Sequence, residues 1–208
     1  MQTALEALGR VDILVNNAGI VRGQETKPVW EITDEEWRRG IDTNLSGAFY
    51  CVRAIAKHMA ERGSGKIINV ASGFAYRGRR NEYMYTSAKA AVVNLTRSLA
   101  LSLADYHIQV NCLVPGFFIV QPPDTPVGQQ RRQQQGRFLA IGRTGEPEEL
   151  GPLAVFLASA ASDHRYIPDY RLGQPDDLAA LTVYLASDFG GNITGQAMYI
   201  EGGVMSHP

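Results

Sequence analysis

Short apolar runs alternate with longer amphipathic stretches along this chain. Val11 to Val15, Lys66 to Ala71, Ile108 to Val114 and Ala197 to Ile200 are brief and mostly apolar. Each stops at turn residues: Asn16-Asn17-Ala18-Gly19, Ser72-Gly73, Pro115-Gly116 and Gly202-Gly203. Runs of this length, bounded this way, predict buried strands. Between the first two, Thr33 to Glu36 has the spacing of a capping box just before Trp37, which predicts a helix start. That helix is expected to run to about Glu61, with a bend near Gly40 or Gly47. A second helix is expected from about Glu82. Tyr85, Ala88, Val92, Leu95, Leu99 and Leu103 recur there at steps of three and four, forming one apolar stripe. Strand–helix alternation of this kind predicts an α/β fold, a parallel sheet with helices on both faces.

Composition narrows the class. The 208 residues fit one domain, and 45% apolar with 20% charged residues is ordinary globular composition. A formal net charge of -1 gives no basic field to attract nucleic acid or an anionic membrane. No apolar run approaches the ~18 to 20 residues that span a bilayer. Met1 to Gly9 lacks the pattern of a secretory leader. Cys51 and Cys112 form neither a CxxC pair nor a disulfide framework, so a reduced, cytoplasmic compartment is the simplest reading. His58, His107, His164 and His207 are scattered without ligand spacing, so no metal site is expected. Gly63-Ser64-Gly65-Lys66 resembles the end of a P-loop, but Ile67 stands where Ser or Thr is needed and a strand follows, not a helix.

The C-terminal third contains a repeat. Arg143 to Ser159 and Arg171 to Ser187 are offset by 28 residues and identical at nine of 17 positions. Each copy carries Gly, then Pro at a helix start, acidic first-turn residues and Leu at helical spacing. Two copies are too few for a solenoid, so the repeat reads as a local duplication that adds one helix.

Candidate chemistry concentrates between Ser72 and Lys89. Tyr85 and Lys89 stand at i and i+4 of the expected helix and so share a face. A lysine ammonium one turn from a phenol favours the phenolate and suits it to general acid–base work near neutral pH. Ser72 ends a strand at the carboxyl edge, where open α/β sheets place their ligands, and its hydroxyl is suited to polarising a carbonyl oxygen. Tyr-x-x-x-Lys alone is a common accident of helices. The three strand ends at Asn16–Gly19, Ser72 and Pro115-Gly116 on one edge make it more.

At this point the sequence resembles a family, the short-chain dehydrogenase/reductases, and within it the 3-oxoacyl-carrier-protein reductases and sugar or polyol dehydrogenases. The resemblance runs from about Ala4 to Gly203. It rests on NNAG at 16–19, Asn44 in the long helix, and Ser72 thirteen residues before Tyr85. YTSAK at 85–89, VNCLVPG at 110–116 and TGQAMYIEGG at 194–203 complete it. It implies a Rossmann-like fold, NAD or NADP as cofactor without choosing between them, and hydride transfer between that cofactor and a small alcohol or carbonyl compound. It implies that Tyr85 exchanges a proton with the substrate oxygen, that Ser72 holds that oxygen, and that Lys89 assists Tyr85 and binds the nicotinamide ribose. Asn44 would hold a water linking Lys89 to solvent. Asn16, Ala18 and Gly19 would lie beside the cofactor, with Pro115, Gly116 and Phe118 near the nicotinamide. A homo-oligomer through the helices at 33–61 and 82–105 is also implied.

Three departures from the family pattern matter. The glycine-rich turn that cradles pyrophosphate is not found, and Met1 falls in what resembles the helix before the family's fourth strand. The expectation is one partial dinucleotide-binding domain over 1–208, N-terminally truncated, with the first three strands absent. Strand Val11–Val15 would then become an exposed apolar edge. Val120 stands where the family usually has a cofactor-holding Thr. The duplication places an extra helical segment before the last strand, and its second copy is expected to take the family's usual place. The alternative to an enzyme is a non-catalytic remnant that acts as an interaction module through the two long helices. The substrate is not legible. Phe74, Tyr76 and Tyr83 would line its pocket by resemblance, and Arg77, Arg79 and Arg80 either meet an anionic substrate or are simply solvated.

Overall fold

The computed structural model describes residues 2–20, 27–118, 126–159 and 175–187. Among them three parallel strands form one sheet in the order β1 (Ile13–Asn16), β2 (Gly65–Val70), β3 (Ile108–Leu113). Helix α1 (Gln2–Leu8) precedes β1. Helices α2 (Asp34–Ile41) and α3 (Gly47–Arg62) connect β1 to β2, and α4 (Tyr83–Leu103) connects β2 to β3. After β3 come α5 (Pro126–Gly136), α6 (Gly151–Ala158) and α7 (Pro175–Ala186). The expected strand at Ala197–Ile200, the TGQAMYIEGG segment, Val120 and the start of the second repeat copy lie outside the described residues.

The register explains how one sheet serves two layers. Ile67 pairs with Val110, and Lys66 pairs with Gln109. Ile67 and Val110 join Val52, Ile55 and Met59 of α3 in one buried cluster, with Leu99 and Leu103 of α4 packed against it. Lys66 points the other way. Its Nζ donates to Gln109 Oε1 and to the Ser159 carbonyl just past α6, 2.8 Å each. Alternation along β2 therefore faces α3 and α4 on one side and α6 on the other, and helices cover both faces. Each fully buried Ile or Met in that cluster contributes about 1.5–3 kcal/mol by leaving water. At β1 the outward residues Ile13 and Val15 are 43% and 49% exposed. Val11 and Leu14 pack partly buried against that cluster, so β1, which pairs only with β2 among the described residues, is half-exposed rather than buried.

The long helix predicted from Thr33 forms in two parts. Thr33 Oγ1 accepts from the Glu36 amide at 3.2 Å, and Glu36 Oε2 accepts from the Thr33 amide at 2.9 Å, closing the capping box. The expected bend is a π-helical segment, Asp42–Ser46, inserted between α2 and α3. Lys27, 2.7 Å from Glu36, and the capping bonds hold the Glu36 carboxyl down at about 2, below its ordinary 4.5. A carboxyl lowered on folding contributes stability that is complete above pH 4.5 and fades as the pH falls toward about 2. Urea midpoints measured from pH 7 to 2 should therefore decline in this window, and Glu36→Gln should remove that part of the slope. Parallel profiles for both proteins would assign the acid sensitivity elsewhere.

Each copy of the repeat carries a helix. The first gives α6, which lies against β2, and the second gives α7. Phe156 and Tyr184 hold the same place in their copies, 28 residues apart. Their rings stack on each other, with centroids 6.0 Å apart and planes 17° from parallel.

Candidate active site

The carboxyl ends of the three strands converge. Past β2 and β3 the chains stay paired: the Ala71 amide donates to the Leu113 carbonyl and the Gly73 amide to the Pro115 carbonyl, both at 2.8 Å. Asn16 at the end of β1 donates from Nδ2 to Asn69 Oδ1 at 2.8 Å, tying β1 to β2. Asn16–Gly19, Ser72 and Pro115–Phe118 therefore line one edge, as their positions after strands predicted. Phe118 forms a further bridge with Gly145.

Helix α4 brings Tyr85 and Lys89 to this edge. Lys89 is only 5% exposed, and its Nζ donates to the Val70 carbonyl at 2.7 Å. That bond uses one of three N–H donors. The same Nζ lies 5.9 Å from the centre of the Tyr85 ring. Burial pushes the Lys89 ammonium down from its ordinary 10.5, opposed by the charge interaction with Cys112. Burial likewise raises the Cys112 thiol. Ser72 is 6% exposed, and its Oγ accepts from the Phe74 amide at 3.2 Å. A hydroxyl oxygen that accepts one bond still has its proton to donate.

Asn44 sits in the π-helical segment and is 3% exposed. Its Nδ2 donates to the carbonyls of Ile20 (3.1 Å) and Gly40 (3.0 Å), and its Oδ1 accepts from the Ile20 amide at 3.1 Å. The side chain thus satisfies the bent helix and clamps the turn after β1. Gly19 is pressed close: a Cβ there would stand 2.8 Å from Asn44 Oδ1 and 3.5 Å from Lys89 Nζ. A side chain at 19 would fill the space beside the lysine. Ala18, Gly19 and Gly116 are exposed, so backbone lies open on either side of Lys89 and Tyr85. These features fit the ribose and nicotinamide end of a dinucleotide. A glycine-rich strand–helix turn for the pyrophosphate is not among the described residues.

One supporting residue escaped the sequence reading. Asn69 is fully buried in β2, and its Nδ2 donates to Thr96 Oγ1 of α4 at 3.0 Å. Thr96 Oγ1 in turn donates to the Val92 carbonyl at 2.8 Å. The Asn16–Asn69–Thr96 chain therefore fixes α4 against both strand ends. Its signal was a lone amide in an apolar run, since a buried polar side chain needs partners on the neighbouring elements.

Comparisons with known proteins point to one family. A family model described as enoyl-(acyl carrier protein) reductase matches residues 1–167. The 3-oxoacyl-[acyl-carrier-protein] reductase of Chlamydia pneumoniae is 36% identical over 164 residues, 79% of this chain and 64% of that protein. Among solved structures, a gluconate 5-dehydrogenase from Burkholderia cenocepacia in complex with NADP and tartrate is 36% identical with a TM-score of 0.69. The match covers 78% of this chain and 63% of that one. A 3-oxoacyl-[acyl-carrier protein] reductase from Brucella melitensis with bound NAD has 32% identity and a TM-score of 0.68, over 78% of this chain and 61% of that one. The chain thus spans somewhat under two thirds of these three relatives.

Proposed function

Because the chain belongs to the short-chain dehydrogenase/reductase family, we propose that it is a nicotinamide-dependent oxidoreductase that interconverts a small alcohol and its carbonyl compound. The observation that carries this reading is the placement of Ser72, Tyr85 and Lys89 together at the carboxyl edge of a parallel sheet. The cofactor, NAD or NADP, supplies the hydride acceptor or donor when bound. The protein's residues bind, orient and move the proton.

In the reducing direction the Tyr85 phenol gives its proton to the substrate oxygen, and in the oxidising direction the phenolate takes the alcohol proton. Ser72 donates its hydroxyl hydrogen to the same oxygen and fixes its position. Lys89 stabilises the phenolate by its charge, and its two remaining N–H groups are available to the ribose hydroxyls. Asn16, Ala18 and Gly19 would flank the cofactor on the β1 side. Pro115, Gly116 and Phe118 would flank it on the β3 side. The side chain of Asn44 is committed to Ile20 and Gly40. A water relaying protons from Lys89 would therefore donate to the Asn44 backbone carbonyl.

The proposed partner subunit is a second copy of the chain, seated on α3 and α4. Phe49 and Tyr50 of α3, 40% and 52% exposed, support that seat. Among the described residues no helix is long and apolar enough to cross a membrane, and both cysteines are free. A cytoplasmic location is the reading these support.

Fluorescence titration of the full chain with NADH and NADPH, with size exclusion alongside, tests the proposal. Saturable binding in the micromolar range, followed by NAD(P)H oxidation with a panel of small carbonyl compounds, is the expected result. A folded chain that binds neither nucleotide would overturn the enzymatic reading.

A further inference from the structure

The loop after Ser72 carries an arginine packed against two aromatic rings. Arg77 lies with its guanidinium carbon 5.1 Å from the centre of the Phe74 ring and 5.2 Å from that of Phe117. These two rings meet edge to face at 5.7 Å and 88°. Phe74 follows the β2 end and its amide bonds Ser72 Oγ, whereas Phe117 follows Pro115-Gly116 at the β3 end. The guanidinium therefore rests on a floor that spans the two strand ends of the candidate site. Among the described residues no carboxylate pairs with Arg77. The neighbouring Arg79 also reaches the Phe74 ring, but its charge is met by Glu82 at 3.1 Å.

We infer that Arg77 holds the carboxylate of an acidic substrate, so that the site selects hydroxy and oxo acids over neutral alcohols and ketones. The inference rests on the oxidoreductase reading for its chemistry, and its geometry is independent of it. A guanidinium held against aromatic rings by its charge still has an N–H edge to offer. That edge matches the two oxygens of a carboxylate in parallel hydrogen bonds. The rings also restrict the side chain beforehand, so less rotamer freedom is lost when an anion arrives. The aromatic floor offers apolar contact for the carbon chain, and Ser72, bonded to the same loop, receives the reacting oxygen.

The test follows Arg77 itself. The Nε–H signal of Arg77 in the full chain is monitored by NMR during titration with gluconate, tartrate and 3-hydroxybutyrate. Their neutral amides and inorganic phosphate serve as parallel titrants. Saturable shifts with at least one carboxylate, and none with its amide, are expected. Arg77→Gln should weaken that carboxylate by roughly tenfold or more, the usual effect of losing a charge-assisted pair. Arg77→Lys should restore part of it, because the charge returns without the fork. Arg80→Gln should leave it unchanged.

Carboxylates and amides that behave alike, or carboxylate binding that survives in Arg77→Gln, would overturn the inference. Tighter binding of phosphate than of every carboxylate would also overturn it, in favour of a phosphate-reading role. The titrations need no cofactor. A chain that binds carboxylates through Arg77 but never turns over NAD(P)H would sink the oxidoreductase reading alone.

Discussion

Tyr85→Phe should lower kcat/KM by about 10²- to 10⁴-fold, the usual contribution of a positioned general acid or base. The phenol hydroxyl makes no hydrogen bond among the described residues, so its removal leaves no partner unsatisfied. Stability should accordingly stay within about 0.5 kcal/mol of the parent, as for substitutions that disturb no packing. Nucleotide affinity should stay close to the parent's, since Lys89 keeps its place on the Val70 carbonyl. Steady-state kinetics, thermal melting and a nucleotide titration on the same preparation separate these effects. Unchanged turnover would remove Tyr85 from the chemistry, and loss of nucleotide binding would recast it as a structural residue.

A second large effect is expected far from any reacting atom. Gly40 closes α2 against α4, and a Cβ there would stand 2.6 Å from Met84 Cβ and 3.1 Å from its Cγ. Met84 is 4% exposed and its Cβ is fixed to the backbone, so relief requires the helices to separate. Overpacking of this kind costs about 1–3 kcal/mol. Alanine's better helix propensity, worth about 1 kcal/mol, offsets part of this and leaves a net cost of up to about 2 kcal/mol. At roughly 2–4 °C per kcal/mol for a chain of this size, Gly40→Ala should lower Tm by up to about 8 °C. Activity should fall with it, because Met84 adjoins Tyr85 and the Gly40 carbonyl accepts from Asn44. Only removal of the Met84 Cβ relieves that contact, so Gly40→Ala should cost less in a Met84→Gly background than in the parent, and the cycle of four proteins measures the coupling. A single mutant as stable as the parent would mean that the helices are not in close contact at this point.

The parts of this fold that were legible in the sequence are those set by neighbouring residues. The Thr33–Glu36 box needs only four consecutive positions, and it forms as read. The α4 stripe needs one helical repeat, and Ala88 and Val92 are buried accordingly. The strand ends carried their own stop signals, so the shared edge of Asn16, Ser72 and Pro115 followed from alternation alone.

Other features depend on residues distant in the chain and left no local trace. A bend between Gly40 and Gly47 was readable from its glycines. Its π-helical form depends on the Asn44 clamp to Ile20, which lies on another element. Arg77, Arg79 and Arg80 read alike, as substrate-facing or solvated, and only the contact with Phe117 from the far side of β3 sets Arg77 apart. Asn69 was hidden in an apolar run because its partners lie on β1 and α4.

The stacked pair Phe156 and Tyr184 has a consequence of a different kind. A residue of one repeat copy touches its own counterpart in the other, so the contact is isologous in character, as in a two-fold dimer. A patch that binds its duplicate does not distinguish a duplicate on the same chain from one on a neighbour. What decides is effective concentration. Two copies tethered by a short stretch of chain meet at millimolar levels. At micromolar protein the pair therefore closes within one molecule. In a crowded solution the same faces are already shaped for exchange between two.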